Sequence, residues 1–428
     1  MLIPLGSTMI AVALPSIGTE FGRAPAELTT WLVTSYLLVS VIGQGPGGKI
    51  GDYWGYRRTI FLGQCIFGVG SLLGLLDFFA AVVASRVLMA LGGAFMVPTV
   101  MAVFKITVPA ALRHRVFGYF GAMMTLAAAV GPMLGGVLVH QFGWKSIFLM
   151  NLPPLILSAL LSKKFFSEHL HEPPTAAFRY DWQGSVLMTC GLTCLVLAFK
   201  NRMELMVPAV GFLAAFLWWE GRTAQPLINL KLFSNRFFSA GCAMVALQNL
   251  AMYALLFQLP FLLKLLYGWG PERAGPFMTA FMVSMMTASA LGGRVAERAG
   301  VRATCVMGSI ISVAGLYWLS TLAPGEESMH VIWGLVFGGA GLGLANGPSQ
   351  SAAMSTVDNR QSGIASGVLS TCRYLGGIIG VSILGLLLST GDAAPTLGDY
   401  HMALMIFTGA FVIAASVALR LPGHARPV

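Results

Sequence analysis

Apolar positions in this chain come in long unbroken runs, each closed by a short joint of basic residues, glycine or proline. The runs lie near 1–17, 29–47, 59–76, 78–104, 116–139, 145–162, 184–199, 205–219, 237–263, 273–293, 303–323, 329–353, 362–388 and 401–420. At ~1.5 Å per helical residue they suit a hydrocarbon core ~30 Å thick, so they predict about 14 membrane-spanning helices. Barrel strands would alternate apolar and polar positions, and these runs do not. The chain therefore reads as an all-α polytopic membrane protein.

Composition closes off the soluble alternative. Of 428 residues, 56% are hydrophobic and 10% are charged, where soluble domains carry roughly 25% charged residues. The net charge of +10 does not gather into a basic tract and does not point to nucleic acid. Its placement is informative instead. Alternate joints hold about 18 Lys and Arg on one side and about 6 on the other: Arg23, Lys145, Lys200, Arg202, Lys264 and Arg273. Positive joints stay inside, which puts both termini on the cytoplasmic side of a cytoplasmic membrane. The six cysteines fall within the runs without Cys-x-x-Cys spacing and read as small membrane residues. Glu168, His169, His171 and Glu172 share one joint, a pattern too loose for a metal site. Met1 leads straight into an apolar run, so no cleavable signal is expected. The first run spans only ~25 Å, which suggests a start further upstream.

Sliding the chain over itself by about 245 residues pairs Leu14-Pro15 with Leu259-Pro260, Gly48 with Gly293, Asp52 with Glu297, Gly55 with Gly300 and Arg57 with Arg302. The same shift pairs Arg115 with Arg360, Gly118 with Gly363, Gly131 with Gly376 and Gly135 with Gly380. Two six-helix repeats are implied, with two further helices inserted between them. The divisions are 1–162 for the N-terminal bundle, 163–236 for the linker and inserted pair, and 237–428 for the C-terminal bundle. Two such halves around a midplane cavity suit alternating access.

The joint after the second run reads Gly48-Lys49-Ile50-Gly51-Asp52-Tyr53-Trp54-Gly55-Tyr56-Arg57-Arg58, and its copy runs from Gly293 to Arg302. Gly43 to Lys49 superficially matches a phosphate loop, but Ile50 stands where Ser or Thr must meet magnesium. The Gly-x-x-x-Asp-x-x-Gly-x-Arg spacing resembles the signature loop of the major facilitator superfamily. Further stretches resemble its fourteen-span drug:proton antiporters: Trp31 to Tyr36, Gly131-Pro132-x-x-Gly135-Gly136, Asn151-Leu-Pro153, Tyr180-Asp181-Trp182, and Arg373-x-x-Gly376-Gly377. The resemblance implies a conformational latch at Gly48, Asp52, Gly55, Arg57, Arg58, Glu297 and Arg302. It also implies an exporter motif at Gly131, Pro132, Gly135 and Gly136, where proline kinks the helix and glycines admit a neighbour.

Arg86 matches the family's membrane arginine, linked there to proton coupling, and Arg373 raises the same question. A charge in a span costs roughly 2.5–3.5 kcal/mol on insertion scales, so each either faces a cavity or pairs with helix carbonyls. In the first run the subfamily's aspartate is replaced by Gly6, and no acidic residue falls well inside a run. Polar and aromatic cavity candidates are Gln248, Asn249, Tyr253 and Asn346, with Thr8, Tyr36, Gln44, Met124, Gln258, Phe281 and Gln350 behind them. Any of these could instead bond across helices. Met282, Met285 and Met286 suit a soft pocket or face lipid.

The expected function is export of amphipathic or cationic drug-like compounds, with protons as coupling partner by resemblance. An uncoupled metabolite exporter and a non-transporting binding protein are the alternatives. No nucleophile, metal set or nucleotide loop suggests an enzyme, and no cofactor is expected. Nothing in the sequence specifies a periplasmic adaptor.

Overall fold

The structure is a computed structural model that describes residues 2–107, 110–165, 181–198, 202–223, 226, 228, 230–355, 357, 362–388 and 395–423. Helix α1 is Leu2–Phe21, and α2 is a composite of Pro25–Leu28, a π-helical turn Thr29–Thr34, and Ser35–Trp54. There follow α3 (Tyr56–Leu73), α4 (Phe79–Thr107), α5 (Ala110–Phe142), α6 (Leu152–Phe165), α7 (Trp182–Ala198) and α8 (Met206–Glu220). The second half holds α9 (Arg236–Tyr267), α10 (Pro271–Ala299), α11 (Val301–Ser320), α12 (Ser328–Met354), α13 (Ser362–Leu387) and α14 (Leu397–Ala418). Each apolar run of the sequence is occupied by one of these helices. Among the described residues, 9 stretches are long and apolar enough to cross a membrane.

Local chemistry sets where these helices start and stop. Asn235 begins α9, its side chain accepting from the Phe237 and Phe238 amides, and Gly268 ends it in the left-handed conformation. Thr396 and Asp399 cap α14 reciprocally. Between α2 and α3 the chain turns at Gly55 with φ 95° and ψ 139°. Between α10 and α11 it turns at Gly300 with φ 86° and ψ 153°. Only glycine adopts that backbone without strain. Helix α1 holds 20 residues, ~30 Å at 1.5 Å each. The shortfall expected of the first run is therefore absent, because the helix continues through Gly18, Thr19 and Glu20 to Phe21.

Packing follows the same order in both halves. α1 lies on α5, α2 on α4 and α3 on α4; α9 lies on α13, α10 on α12 and α11 on α12. Glycines permit the closest crossings. A side chain at Gly63 would meet the Gly92 carbonyl at 2.8 Å, and one at Gly308 would meet the Gly341 carbonyl at 2.5 Å. Helices α7 and α8 pack on one another, and α8 buries only Ala209, Phe216 and Glu220. Its Val207 is 79% exposed, and Phe61, Leu160 and Trp333 likewise point outward. Apolar surface on that scale requires lipid.

Candidate functional site

Arg86 is fully buried on α4, and among the described residues no carboxylate pairs with it. Its Nε donates to the Leu32 carbonyl at 3.1 Å, and its guanidinium carbon lies 4.1 Å from the centre of the Tyr36 ring. Leu32 belongs to the π-helical turn of α2, where carbonyls fall out of α register. The helix-carbonyl pairing weighed from the sequence is thus made, across to α2.

On the facing bundle, the Arg373 guanidinium donates to the Gln350 side-chain oxygen at 2.7 Å, and the Gln350 amide donates in turn to Asn346. Tyr253 on α9 stacks on Phe257 at 6.2 Å and lies against Gly377, where a side chain would come within 2.8 Å of its ring. Helix α13, which carries Arg373 and Tyr374, packs on α9, which carries Tyr253, and on α2 of the other half, which carries Tyr36. Aromatic and cationic side chains from both halves therefore converge near mid-helix. Asn249 is turned to its own helix, donating to the Val245 carbonyl at 2.8 Å. Gln248 is buried, and neither its nitrogen nor its oxygen has a partner among the described residues. Gln258 donates to the Tyr400 carbonyl at 2.7 Å, a bond that ties α9 to α14.

Gly6 points toward α6. A side chain there would meet the Asn151 amide oxygen at 3.5 Å and Met89 at 3.6 Å, both ordinary contacts. Asn151 donates to the Ile147 carbonyl, and its oxygen has no partner among the described residues. A Cβ at Gly6 is thus accommodated, with a neutral amide across from it.

At the end of the molecule that carries Gly268, the two halves close on each other. A side chain at Gly135 would meet the Met9 backbone at 3.1 Å, and one at Gly136 would meet the Pro271 carbonyl oxygen at 2.5 Å. Reciprocally, one at Gly275 would meet the Pro132 carbonyl oxygen at 2.5 Å. Gly131 lies against Thr8 and the Leu5 carbonyl. The Gly131 to Gly136 stretch therefore wedges α5 between α1 of its own half and α10 of the other. Lys264 donates to Thr19 at 3.0 Å and His140 meets Glu272 at 3.3 Å, both across the halves. Trp144 donates to Glu20 at 2.5 Å. A pocket of about 530 Å³ remains there, lined by Pro15, Thr19, Glu20, Lys264, Trp269 and Pro271 among others. Thr19 and Lys264 lie 245 residues apart, the offset of the repeat, whereas the other pairs follow no spacing in the sequence.

At the opposite end lies the predicted latch. Gly48 and Asp52 fall within α2 but outside the residues whose side chains are described, Arg58 is exposed, and Arg57 is half-buried. Glu297 is exposed too. Arg302 is engaged within its own half: its Nε donates to the Leu421 carbonyl at 2.9 Å and its amide to Pro422 at 3.3 Å. The joint with His169 and His171 lies outside the described residues. Among the described residues no group of metal-ligating side chains forms.

Comparison with known proteins adds the following. The sequence profile of the Major Facilitator Superfamily matches residues 1–381. The chain is 30% identical to the uncharacterized MFS-type transporter YvkA of Bacillus subtilis, over 98% of this chain and 93% of that protein. It is 30% identical to the multidrug resistance protein Stp of Mycobacterium tuberculosis, over 91% of this chain and 74% of that protein. In fold it is similar to a D-xylose-proton symporter, with a TM-score of 0.72, 16% identity, and coverage of 99% of this chain and 95% of that one.

Proposed function

The chain belongs to the Major Facilitator Superfamily, and we propose that it exports amphipathic drug-like molecules across the cytoplasmic membrane by alternating access. It is a multi-pass membrane transporter, with multidrug-resistance proteins among its relatives. The observation that carries the export reading is the closure of one end by α5 and α10 over side chains that converge from both halves. A carrier stopped with one gate shut and its central groups gathered is a state of an alternating-access cycle.

The finer architecture is also our reading: about 14 spans, two six-helix repeats over 1–162 and 237–428, and an inserted pair within 163–236. The matching helix pairs of the two halves and the like turns at Gly55 and Gly300 support it. Positive joints support cytoplasmic termini, which makes the Gly268 end the outer one. On this reading Gly48, Asp52, Gly55, Arg57, Arg58, Glu297 and Arg302 form the inner latch, and Gly131, Pro132, Gly135 and Gly136 form the outer seal. Arg86, Arg373, Gln248, Asn249, Tyr253 and Asn346 serve the cavity.

Proton antiport is the driving force the family suggests. A second reading, transport without a proton, is favoured by Gly6 and its neutral neighbour Asn151. Purified protein in liposomes under an imposed proton gradient tests both, with dye flux and internal pH followed together. Flux that carries protons and is lost in Asp52→Asn supports antiport; flux blind to the gradient supports the second reading. Absence of flux for anionic and cationic dyes alike counts against export.

A further inference from the structure

Five side chains gather at the centre of this carrier, and none is an acid. Arg86 and Arg373 bring two guanidinium groups, while Tyr36, Tyr253 and Tyr374 bring phenol rings from α2, α9 and α13. Arg373 donates to a neutral amide and Arg86 to a neutral carbonyl. Among the described residues neither has a carboxylate partner. Carboxylates that are described sit elsewhere: Glu20 with Trp144, Asp77 with Lys145, Asp181 with Trp219, and Glu272 with His140. The positive charge at the centre is therefore uncompensated, in surroundings where charge is weakly screened.

The cluster is also reachable. Arg373, Tyr253 and Tyr374 are part-exposed although they lie near mid-helix, and α13, which carries two of them, packs on α2 of the other half.

We propose that this cluster binds an amphipathic organic anion, such as an aromatic carboxylate, sulfonate or phenolate. Its charge sits on the Arg373 guanidinium and its ring system among Tyr36, Tyr253 and Tyr374. The planar guanidinium matches the two oxygens of a carboxylate, and the rings supply stacking faces. Cations are repelled by Arg86 and Arg373 together. This names the cargo of the site that the exporter reading uses; it rests on that reading for transport and not for binding. It also bears on the missing acid. A monovalent anion leaving an inside-negative cell is favoured roughly 50-fold per 100 mV, so its export needs no titrating carboxylate.

Fluorescein and rhodamine 123 test the proposal, since they share a xanthene core and differ in charge. Their binding to the full chain in lipid nanodiscs is followed by fluorescence anisotropy. Fluorescein is expected to bind at least about 10-fold tighter than rhodamine 123, and Arg373→Gln to weaken fluorescein by roughly 10- to 100-fold. Arg373→Lys retains part of the affinity, and Arg373→Glu shifts preference toward rhodamine 123. A thermal unfolding curve near the parent's shows that each variant is folded. Equal or tighter rhodamine binding overturns the proposal. So does unchanged fluorescein binding by Arg373→Gln, or no fluorescein binding at millimolar concentration. Fluorescein binding without flux upholds the anion site and overturns the exporter reading. Rhodamine flux without fluorescein binding does the reverse.

Discussion

Replacing Gly136 with alanine should drive the carrier out of its outer-closed state. The new methyl would stand 2.5 Å from the Pro271 carbonyl oxygen, 3.3 Å from its carbon and 3.4 Å from the Gly275 Cα. The nearest contact is roughly 1 Å inside ordinary van der Waals separation, and its partner is backbone that no rotamer change can move aside. Overpacking of this kind costs about 1–3 kcal/mol, and only while α5 and α10 touch. The open state escapes the clash, so the equilibrium shifts toward it by roughly 5- to 150-fold. The His140–Glu272 pair across the same seam is 60% and 35% exposed, and exposed pairs contribute at most about 1 kcal/mol. Packing therefore outweighs charge at this gate. Spin labels at Phe142 and Leu265, both exposed, report the separation of the halves by pulsed electron resonance. Gly136→Ala is expected to add a longer-distance population, while Gly211→Ala, with nothing within 4 Å, leaves the distribution alone. An unchanged distribution in folded Gly136→Ala protein would refute the reasoning.

Three further outcomes are expected. Gly300→Ala forces a side chain into φ 86° and should cost about 1–3 kcal/mol, lowering the thermal midpoint; Gly293→Ala, in open space, should not. Arg86→Met leaves the buried Leu32 carbonyl without its donor and should destabilise the protein by about 1–3 kcal/mol, read by the same melt in parallel with dye flux. Gly6→Asp places a carboxylate beside Asn151 and supplies the acid the spans lack, so flux that ignores a proton gradient in the parent should respond to one in the variant. An equally insensitive variant would show that this position does not couple protons.

The helices were legible because lipid demands a continuous apolar surface, and nothing in the chain conceals it. The duplicated turn was legible for a similar reason: Gly55 and Gly300 occupy backbone that only glycine tolerates, so both halves keep glycine there. Arg86 announced itself as a charge in an apolar run, but its partner did not. Leu32 offers a carbonyl, available to every residue type, and it is placed by a π-helical turn that leaves no mark in the hydrophobic period. Arg373 meets Gln350 across two helices, and α13, which carries Tyr374, packs across the halves on α2, which carries Tyr36, contacts that follow from tertiary packing alone. Arg302 bonds carbonyls just beyond the end of α14, partners that its place in the motif does not specify.

On the proposed cycle the halves part at the end that carries Gly268 for cargo to leave. Thr19 and Lys264 face each other across that seam, so Thr19→Cys and Lys264→Cys together can be bridged by a short bifunctional thiol reagent that a reductant releases. In liposomes, dye flux should stop on bridging and return on reduction, while the protein with either substitution alone transports throughout. Flux that continues with the bridge fully formed would contradict the account.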